Sequence, residues 1–402
     1  MKKIPKVCVT TIDPSQVGGV TTMKEYFCKM AEKNGYEPFI AFYPLDPNSS
    51  VRLKNLFFFN KIRIVNADRY LNFDSFSIGC IFPEFEFLHY LSSYKYWKKI
   101  IEQTDLCFAV SGTNQCCLPY VLAKKKFSCW IATTYFEDRK QNIISFSFIQ
   151  KLLNFMSLPF VLFFERLIFN RATRVLVLSK YTKDLIIRKY EIDESKVIIT
   201  PNPIDTEFFA VNRIDHNGLR ILFIGRINDP RKNVAMLIHA FSKILHGEQN
   251  VELWLVGEEI SDNLQSLILK LGISDKVKCF EGVEHDDIVN YYHNCDIFAL
   301  PSFQEGLGIV VLEAMSCGLP VVLTRCGGPE WLIANGVNAL MVENNNTDEF
   351  VDALKRLIES NDLRLKIGSE ARKTIVSKCS VNTLEKIFIN TLDELSEKTR
   401  DV

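Results

Sequence analysis

Arg226 and Lys232 stand six residues apart in GRINDPRKN, directly after the apolar run ILFIG and around Pro230. An Arg fork and a Lys point charge suit the oxygens of a diphosphate. The same residues would also fit a solvated loop that starts a helix near Lys232. Further along, SFQEGLGIVVLEAMSCGLP places Glu305 and Glu313 on either side of Gly306, Leu307 and Gly308. The glycines permit positive φ and close backbone approach. A helix over IVVLEAMSC would present its unpaired N–H groups and the positive end of its dipole, an arrangement suited to phosphate. Glu305 falls in the loop before that helix. Glu313 falls more than a turn inside it, eight positions on and on roughly the same face. A carboxylate between Leu312 and Ala314 needs a partner. Vicinal ribose hydroxyls can donate to it; a salt bridge to a neighbouring Arg or Lys would also satisfy it.

These residues follow short β-branched runs, and the elements around them explain why. ILFIGR, VELWLVG, KVKCFEG, DIFALPS and PVVLTRC alternate with helical patterns through the second half, which predicts a parallel sheet covered on both faces. The first half reads the same way at VCVTTI, EPFIAF, DLCFAV, FSCWIA and RVLVLS. In open parallel sheets ligands bind beyond the carboxyl ends of the strands, where the residues above fall. VCVTTI leads to Gly18 and Gly19 and then to a helical stretch, TTMKEYFCKMAEKNG, which is half of a phosphate loop in form. The Pro- and Asn-rich stretch 199–218 reads as the linker, and apolar residues at helical spacing near the end read as an amphipathic closing helix. The expected domains are 1–205 and 206–380, with the helix at 381–400.

Composition bounds the partners. A chain of 402 residues exceeds one ordinary core and fits two domains. Its 48 basic and 48 acidic residues cancel, which removes the global charge argument for nucleic acid. Residues 166–189 hold seven Lys or Arg against Asp184, a pattern that a solvated basic face would give. The twelve cysteines form no CxxC pair and mostly sit in apolar runs, so buried free thiols in a reducing, cytoplasmic setting are expected. MKKIPKVCVTTIDP does not read as a signal peptide. Six scattered histidines and the lack of any two aspartates two positions apart predict no metal site.

Together GRINDPRKN, EGLGIVVLEAMSCGLPVV, the following GGPEWLI and the earlier PNPIDTEFF closely resemble the large retaining glycosyltransferase family with the GT-B fold, glycosyl transferases group 1. The resemblance is specific over about 179–343 and looser before. It implies an α/β chain of two doubly wound Rossmann-like domains facing across a cleft. It implies Arg226 and Lys232 on the diphosphate of a UDP- or GDP-linked sugar, Glu313 on the ribose and Glu305 near the sugar hydroxyls. Backbone N–H groups of Gly306, Leu307 and Gly308 would join them, with Gly18 and Gly19 in a loop closing over donor and acceptor. The closing helix would cross back onto the first domain. Where many members place a histidine at a first-domain strand end, this chain has WIATTYFEDR, so Thr133, Thr134 and Glu137 become the acceptor- or sugar-side candidates. The implied reaction moves a hexose to a glycan or lipid-linked acceptor without metal or cofactor. A nucleotide-sugar epimerase of the same fold, or an inactive sugar-nucleotide-binding partner subunit, are the alternatives.

The most apolar stretch, 143–169, has its longest uncharged run from Leu152 to Phe164, thirteen positions, whereas a spanning helix needs about 20. Ile149, Leu152, Leu153, Met156, Phe160, Phe163 and Leu167 recur at helical spacing, followed by Arg166, Arg171 and Arg174. That pattern fits a helix lying on an anionic membrane surface, or one buried in the first domain and kinked at Pro159.

Overall fold

The computed structural model describes residues 4–13, 19–44, 64–70, 72–82, 85, 88–142, 148–245, 247 and 250–397. The chain divides into two compact units, residues 1–202 with 385–402, and residues 203–384. Gly18, residues 143–147 and 398–400 of the segments discussed above lie outside the described residues.

The first unit carries an eight-stranded sheet. Its strands are β1 (Lys6–Thr11), β2 (Glu37–Phe42), β3 (Ile64–Tyr70), β4 (Phe73–Ile78), β5 (Leu106–Ser111), β6 (Phe127–Ile131), β7 (Val175–Val177) and β8 (Val197–Ile199). Their order is β3-β4-β2-β1-β5-β6-β7-β8, and only the β3–β4 pair is antiparallel. β5 and β6 are buried along their whole length, as strands covered on both faces must be. Chain order reverses direction between β1 and β5, so the loops after these strands flank the crevice at this unit's topological switch point.

The second unit carries six parallel strands: β9 (Leu219–Gly225), β10 (Val251–Gly257), β11 (Val277–Glu281), β12 (Ile297–Leu300), β13 (Val321–Thr324) and β14 (Leu340–Val342), in the order β11-β10-β9-β12-β13-β14. Here the switch point falls between β9 and β12. The loops that leave those two strands begin with Arg226 and end at Gly308.

Four strands escape the sequence reading. β3 and β4 form a hairpin with an irregular register between Ala67 and Tyr70, and their sequences, IVNADRY and FDSFSI, mix charge with apolar residues. β8 and β14 have three residues each, too few for a period to be visible. The stretch 199–218 opens inside β8 rather than after it. Ile204 pairs with Ser380, and Arg372 donates to the carbonyls of Thr206, Phe209 and Ser316 at 2.7–2.8 Å, so much of PNPIDTEFF is anchored in the second unit.

The last helix, Val381–Glu397, belongs to the first unit from Glu385 on. Phe388 is fully buried and meets Phe27 and Phe108 edge-on, with ring centroids 5.4 and 6.0 Å away. Lys33 pairs with Glu385 at 3.2 Å, and Tyr36 donates to Asp393 at 2.8 Å. The Arg174 guanidinium grips the Glu394 carboxylate through two bonds of 2.7 and 2.8 Å. Arg174 is thus committed to this helix rather than available to a membrane surface. Truncating Phe388 to Ala should remove about 3–5 kcal/mol of stability, as large-to-small changes at a buried Phe do. Urea denaturation followed by fluorescence measures this, and a loss under about 1 kcal/mol would contradict the packing role.

Candidate active site

In the second unit Asp229 organises the loop after β9. It is the N-cap of the short 3₁₀ turn Pro230–Lys232, with its carboxylate accepting the Arg231 backbone N–H at 3.0 Å. The same carboxylate holds the Arg231 guanidinium at 2.7 Å and the Arg226 guanidinium at 2.9 Å. Hydrogen bonding from Arg231 above all pushes the Asp229 carboxyl down to about 2. Asn233, at φ +50°, then turns the chain into the helix Val234–Leu245. Arg226 remains 64% exposed along its side chain, so its fork is both aimed and accessible.

Lys232 reaches the other loop. Its ammonium lies 2.7 Å from Glu305 Oε1, with side chains only 13% and 9% exposed. Ser302 Oγ donates to the same oxygen at 2.6 Å. The backbones are knitted too: Phe303 N–H donates to the Arg231 carbonyl at 2.7 Å, Glu305 N–H to the Cys326 carbonyl at 2.7 Å, and Gly328 N–H to the Glu305 carbonyl at 3.0 Å. Asn344, just past β14, donates to the Phe303 carbonyl at 2.8 Å. The loops after β9, β12, β13 and β14 thereby form one bonded surface at the carboxyl end of the sheet.

Two glycines are required there. Gly308 adopts φ +70° as it enters the helix Ile309–Ser316, a conformation unfavourable for residues with a Cβ. At Gly328 a Cβ would lie 2.3 Å from the Gly306 carbonyl oxygen, so only glycine lets the loop after β13 pass. Glu330 accepts the Gly327 N–H at 2.8 Å and fixes that loop. Gly306, Leu307 and Gly308 are therefore held at the start of the helix, with Leu307 buried.

Glu313 is buried in that helix, and its Oε2 accepts the Tyr292 phenol at 2.7 Å. Its protein partner is thus a phenol and not the Arg or Lys of the salt-bridge reading. Burial raises its carboxyl above the usual range, against smaller opposing effects of Tyr292 and His285.

In the first unit Gly19 opens the helix Gly19–Lys33, and its carbonyl accepts from Asn202 Nδ2 at 2.8 Å. Thr133 is half-buried after β6, with its N–H on the Gly112 carbonyl at 2.9 Å. Thr134 is fully buried, so Thr133 is the threonine of the pair that reaches solvent. Glu137 is half-buried and takes the Tyr181 phenol. The structure thus gathers Arg226, Lys232, Glu305 and the glycines 306 and 308 into one surface of the second unit, with Glu313 in its supporting helix. Thr133, Thr134 and Glu137 belong to the first unit.

Sequence reasoning missed Asp229, Arg231, Ser302 and Tyr292. Asp before Pro is a legible helix-start signal that could have found Asp229. Nothing local marks Tyr292, which lies 21 residues before its partner.

Comparison with known proteins gives the family described as Glycosyl transferases group 1 over residues 204–374, and Glycosyltransferase Family 4 over residues 17–208. The chain is 35% identical over 161 residues to the lipopolysaccharide core biosynthesis glycosyltransferase LpsE of Rhizobium meliloti, covering 40% of this chain and 45% of that protein. It is 30% identical over 187 residues to the MMP alpha-(1->4)-mannosyltransferase of Mycolicibacterium hassiacum, covering 46% and 45%. The matches span less than half the length of these relatives. HepE of Anabaena in complex with UDP shares the fold at a TM-score of 0.70, with 17% identity over 97% of this chain and 100% of that one. Sucrose-phosphate synthase of Thermosynechococcus elongatus does so at 0.70, with 15% identity over 97% and 99%. These likenesses and the two parallel-sheet units give the chain a GT-B fold.

Because the folded carboxyl of Glu313 holds its proton above the ordinary value of 4.5, its ionisation weakens the fold as pH rises past that value. Glu313→Gln keeps an acceptor for Tyr292 and removes the charge. Thermal melts without nucleotide should coincide for the two proteins near pH 4 and favour the variant increasingly toward pH 7. Equal destabilisation of the variant at every pH would contradict this.

Proposed function

The chain belongs to the group 1 glycosyl transferases, and from that premise we propose that it moves a hexose from a nucleoside-diphosphate sugar to an acceptor hydroxyl with retention of configuration. The observation that carries this reading is the cation-rich, bonded surface at the switch point of the second unit, where Arg226 is exposed and Lys232 is fixed by Glu305.

Bond breaking at the sugar's anomeric carbon leaves charge on the diphosphate. The Arg226 fork, the two ammonium donors of Lys232 not given to Glu305, and the start of the helix Ile309–Ser316 answer that charge without reorganising. The acceptor oxygen bonds to the anomeric carbon on the face the diphosphate leaves, and its proton passes to the departing phosphate oxygen. No protein nucleophile is needed, and the cations take the place of a metal. Glu305 serves the sugar hydroxyls, Glu313 the ribose, and Gly306, Leu307 and Gly308 supply N–H groups. In the first unit, Thr133 and Glu137 serve the acceptor, with Gly19 opening the helix Gly19–Lys33. HepE, of the same fold, is described in complex with UDP-glucose, which supports a sugar nucleotide as the donor.

We place the enzyme at the cytoplasmic face of a membrane, near a lipid-linked acceptor. Among the described residues no helix is long and apolar enough to cross a bilayer. The helix Phe148–Arg171 runs through Pro159 as one element and leaves Leu152, Phe155, Met156, Phe160 and Phe163 50–74% exposed, while Val161, Glu165, Ile168 and Phe169 face the core. Exposed Lys151 and Arg171 flank this apolar face, whereas Arg166 is paired with Glu191 at 3.2 Å. An amphipathic helix of this form suits an interface between anionic headgroups and acyl chains.

A radiolabelled sugar-nucleotide panel with lipid and glycan acceptors tests the reaction directly. With EDTA present throughout, Arg226→Ala should cut turnover ~10²-fold or more, as loss of a positioned donor does. Lys232→Ala should do the same but strands Glu305, so its folding must be checked by circular dichroism. Near-normal transfer by a folded double variant, or loss of transfer on chelation with rescue by magnesium, would overturn the reading. In flotation assays the protein should rise with anionic vesicles at low salt and stay behind when Phe155 and Phe163 are changed to Ser. Absence of any association would favour a soluble acceptor.

A further inference from the structure

Glu165 lies on the inner face of the helix Phe148–Arg171 and is fully buried. Its Oε1 accepts the Tyr135 backbone N–H at 2.8 Å, and its Oε2 accepts the Tyr190 phenol. Burial, with the Glu165 carboxylate beside it, raises the Tyr190 phenol well above its ordinary range. The Glu165 carbonyl accepts Asn114 Nδ2 at 3.1 Å. These three partners leave three adjacent strands. Asn114 opens the 3₁₀ turn Asn114–Cys117 after β5, Tyr135 opens the helix Tyr135–Asn142 after β6, and Tyr190 closes the helix Lys180–Tyr190 that follows β7.

A carboxylate in such a place is costly unless its bonds are worth its desolvation, and an apolar side chain would fill the volume more cheaply. What the carboxylate supplies is an acceptor for an N–H at the start of a helix, which has no intrahelical partner, together with negative charge at the positive end of that helix dipole. The same helix adds two further ties to these loops. Tyr135 donates through its hydroxyl to Asn154 Oδ1 at 2.9 Å, and Gln115 Nε2 donates to the Val161 carbonyl at 3.4 Å. Thr133 and Glu137 flank Tyr135 in sequence, so the bond to Tyr135 N–H fixes the backbone that carries them.

We infer that Glu165 is the positioning residue of the acceptor side: its carboxylate holds the start of the Tyr135–Asn142 helix so that Thr133 and Glu137 stay in place for the acceptor. The role assigned to that loop rests on the function proposed above, whereas the anchoring of the loop does not. Glu165 touches no substrate on this account and acts on the acceptor side through Tyr135.

Hydrogen exchange on the full chain reads the anchoring without substrate. Glu165→Leu should speed exchange of the amides at 135–138 by ~10-fold or more, the scale of one bond to a charged group, and leave those of the second unit unchanged. Glu165→Gln, which keeps a carbonyl acceptor for Tyr135, should stay within ~3-fold of the parent. In transfer assays Glu165→Leu should raise the acceptor KM by ~10-fold while leaving the donor KM as it was, and Glu165→Gln should restore most of the loss. Should the Leu variant fail to fold, Tyr190→Phe carries the test, since removing the phenol's bond to Oε2 should loosen the carboxylate and still speed exchange at 135–138 measurably. Unchanged exchange there in the variant that folds, Gln behaving as badly as Leu, or donor and acceptor KM rising together would overturn the inference. If no donor supports transfer by the parent protein, the functional reading fails while exchange alone still decides the anchoring.

Discussion

The bond between the Lys232 ammonium and the Glu305 carboxylate, 2.7 Å long and largely shielded from water, joins two loops that are 73 residues apart in sequence. Losing either partner would leave a charge buried without compensation, a change that costs about 3–5 kcal/mol in comparable pairs. The pair therefore acts as a clamp across the switch point between β9 and β12. With it in place, Phe303 meets Arg231, Glu305 meets Cys326, and the glycine turn at 306–308 arrives at the helix Ile309–Ser316 in one fixed register. Ser302 adds a second donor to Glu305 Oε1, so the carboxylate is oriented as well as paired. Asp229 does for the two arginines what Glu305 does for the lysine. In each case a carboxylate pre-organises a cation that would otherwise lose rotamer freedom when an anion arrives.

The two units differ in how their sites are held. In the second unit the surface is organised by charge pairs and close glycine contacts at the loop ends. In the first unit the loops after β5 and β6 are held from beneath by Asn154, Val161 and Glu165 of one long helix. That helix has two unlike faces, one bonded to loops and one exposing Phe155, Met156 and Phe163. A helix with both jobs need not be uniformly amphipathic, and its sequence mixes Asn154, Ser157 and Glu165 into an apolar run for that reason. All twelve cysteines are free thiols and all but Cys279 are buried, so none of this architecture depends on disulfides.

Much of this was legible beforehand, and the limits have physical causes. Parallel strands buried on both faces read as continuous apolar runs, and Glu313 stood out because a carboxylate in an apolar helix demands a partner, as did Glu305 beside the glycines that open that helix. The length of the Phe148–Arg171 helix was obscured by Pro159, which its context tolerates. β3 and β4 were hidden by polar residues on an edge hairpin, and β8 and β14 by their brevity. Long-range pairing was invisible in principle: nothing near Glu313 announces Tyr292, and nothing near Glu165 announces Tyr135 or Tyr190. The reading of Arg174 as surface charge failed for the same cause, because its partner Glu394 lies 220 residues away.

The claim that the clamped surface of the second unit receives a nucleoside diphosphate can be met by a thermal-shift panel of UDP, GDP and ADP with the matching monophosphates, in EDTA. A ligand that binds only the folded chain raises its stability by about 2.7 kcal/mol at a hundred times its Kd. One diphosphate should raise the melting temperature by several degrees, its monophosphate should do so far less, and Arg226→Ala should abolish the difference. No shift with any diphosphate, or equal shifts for diphosphate and monophosphate, would contradict that claim.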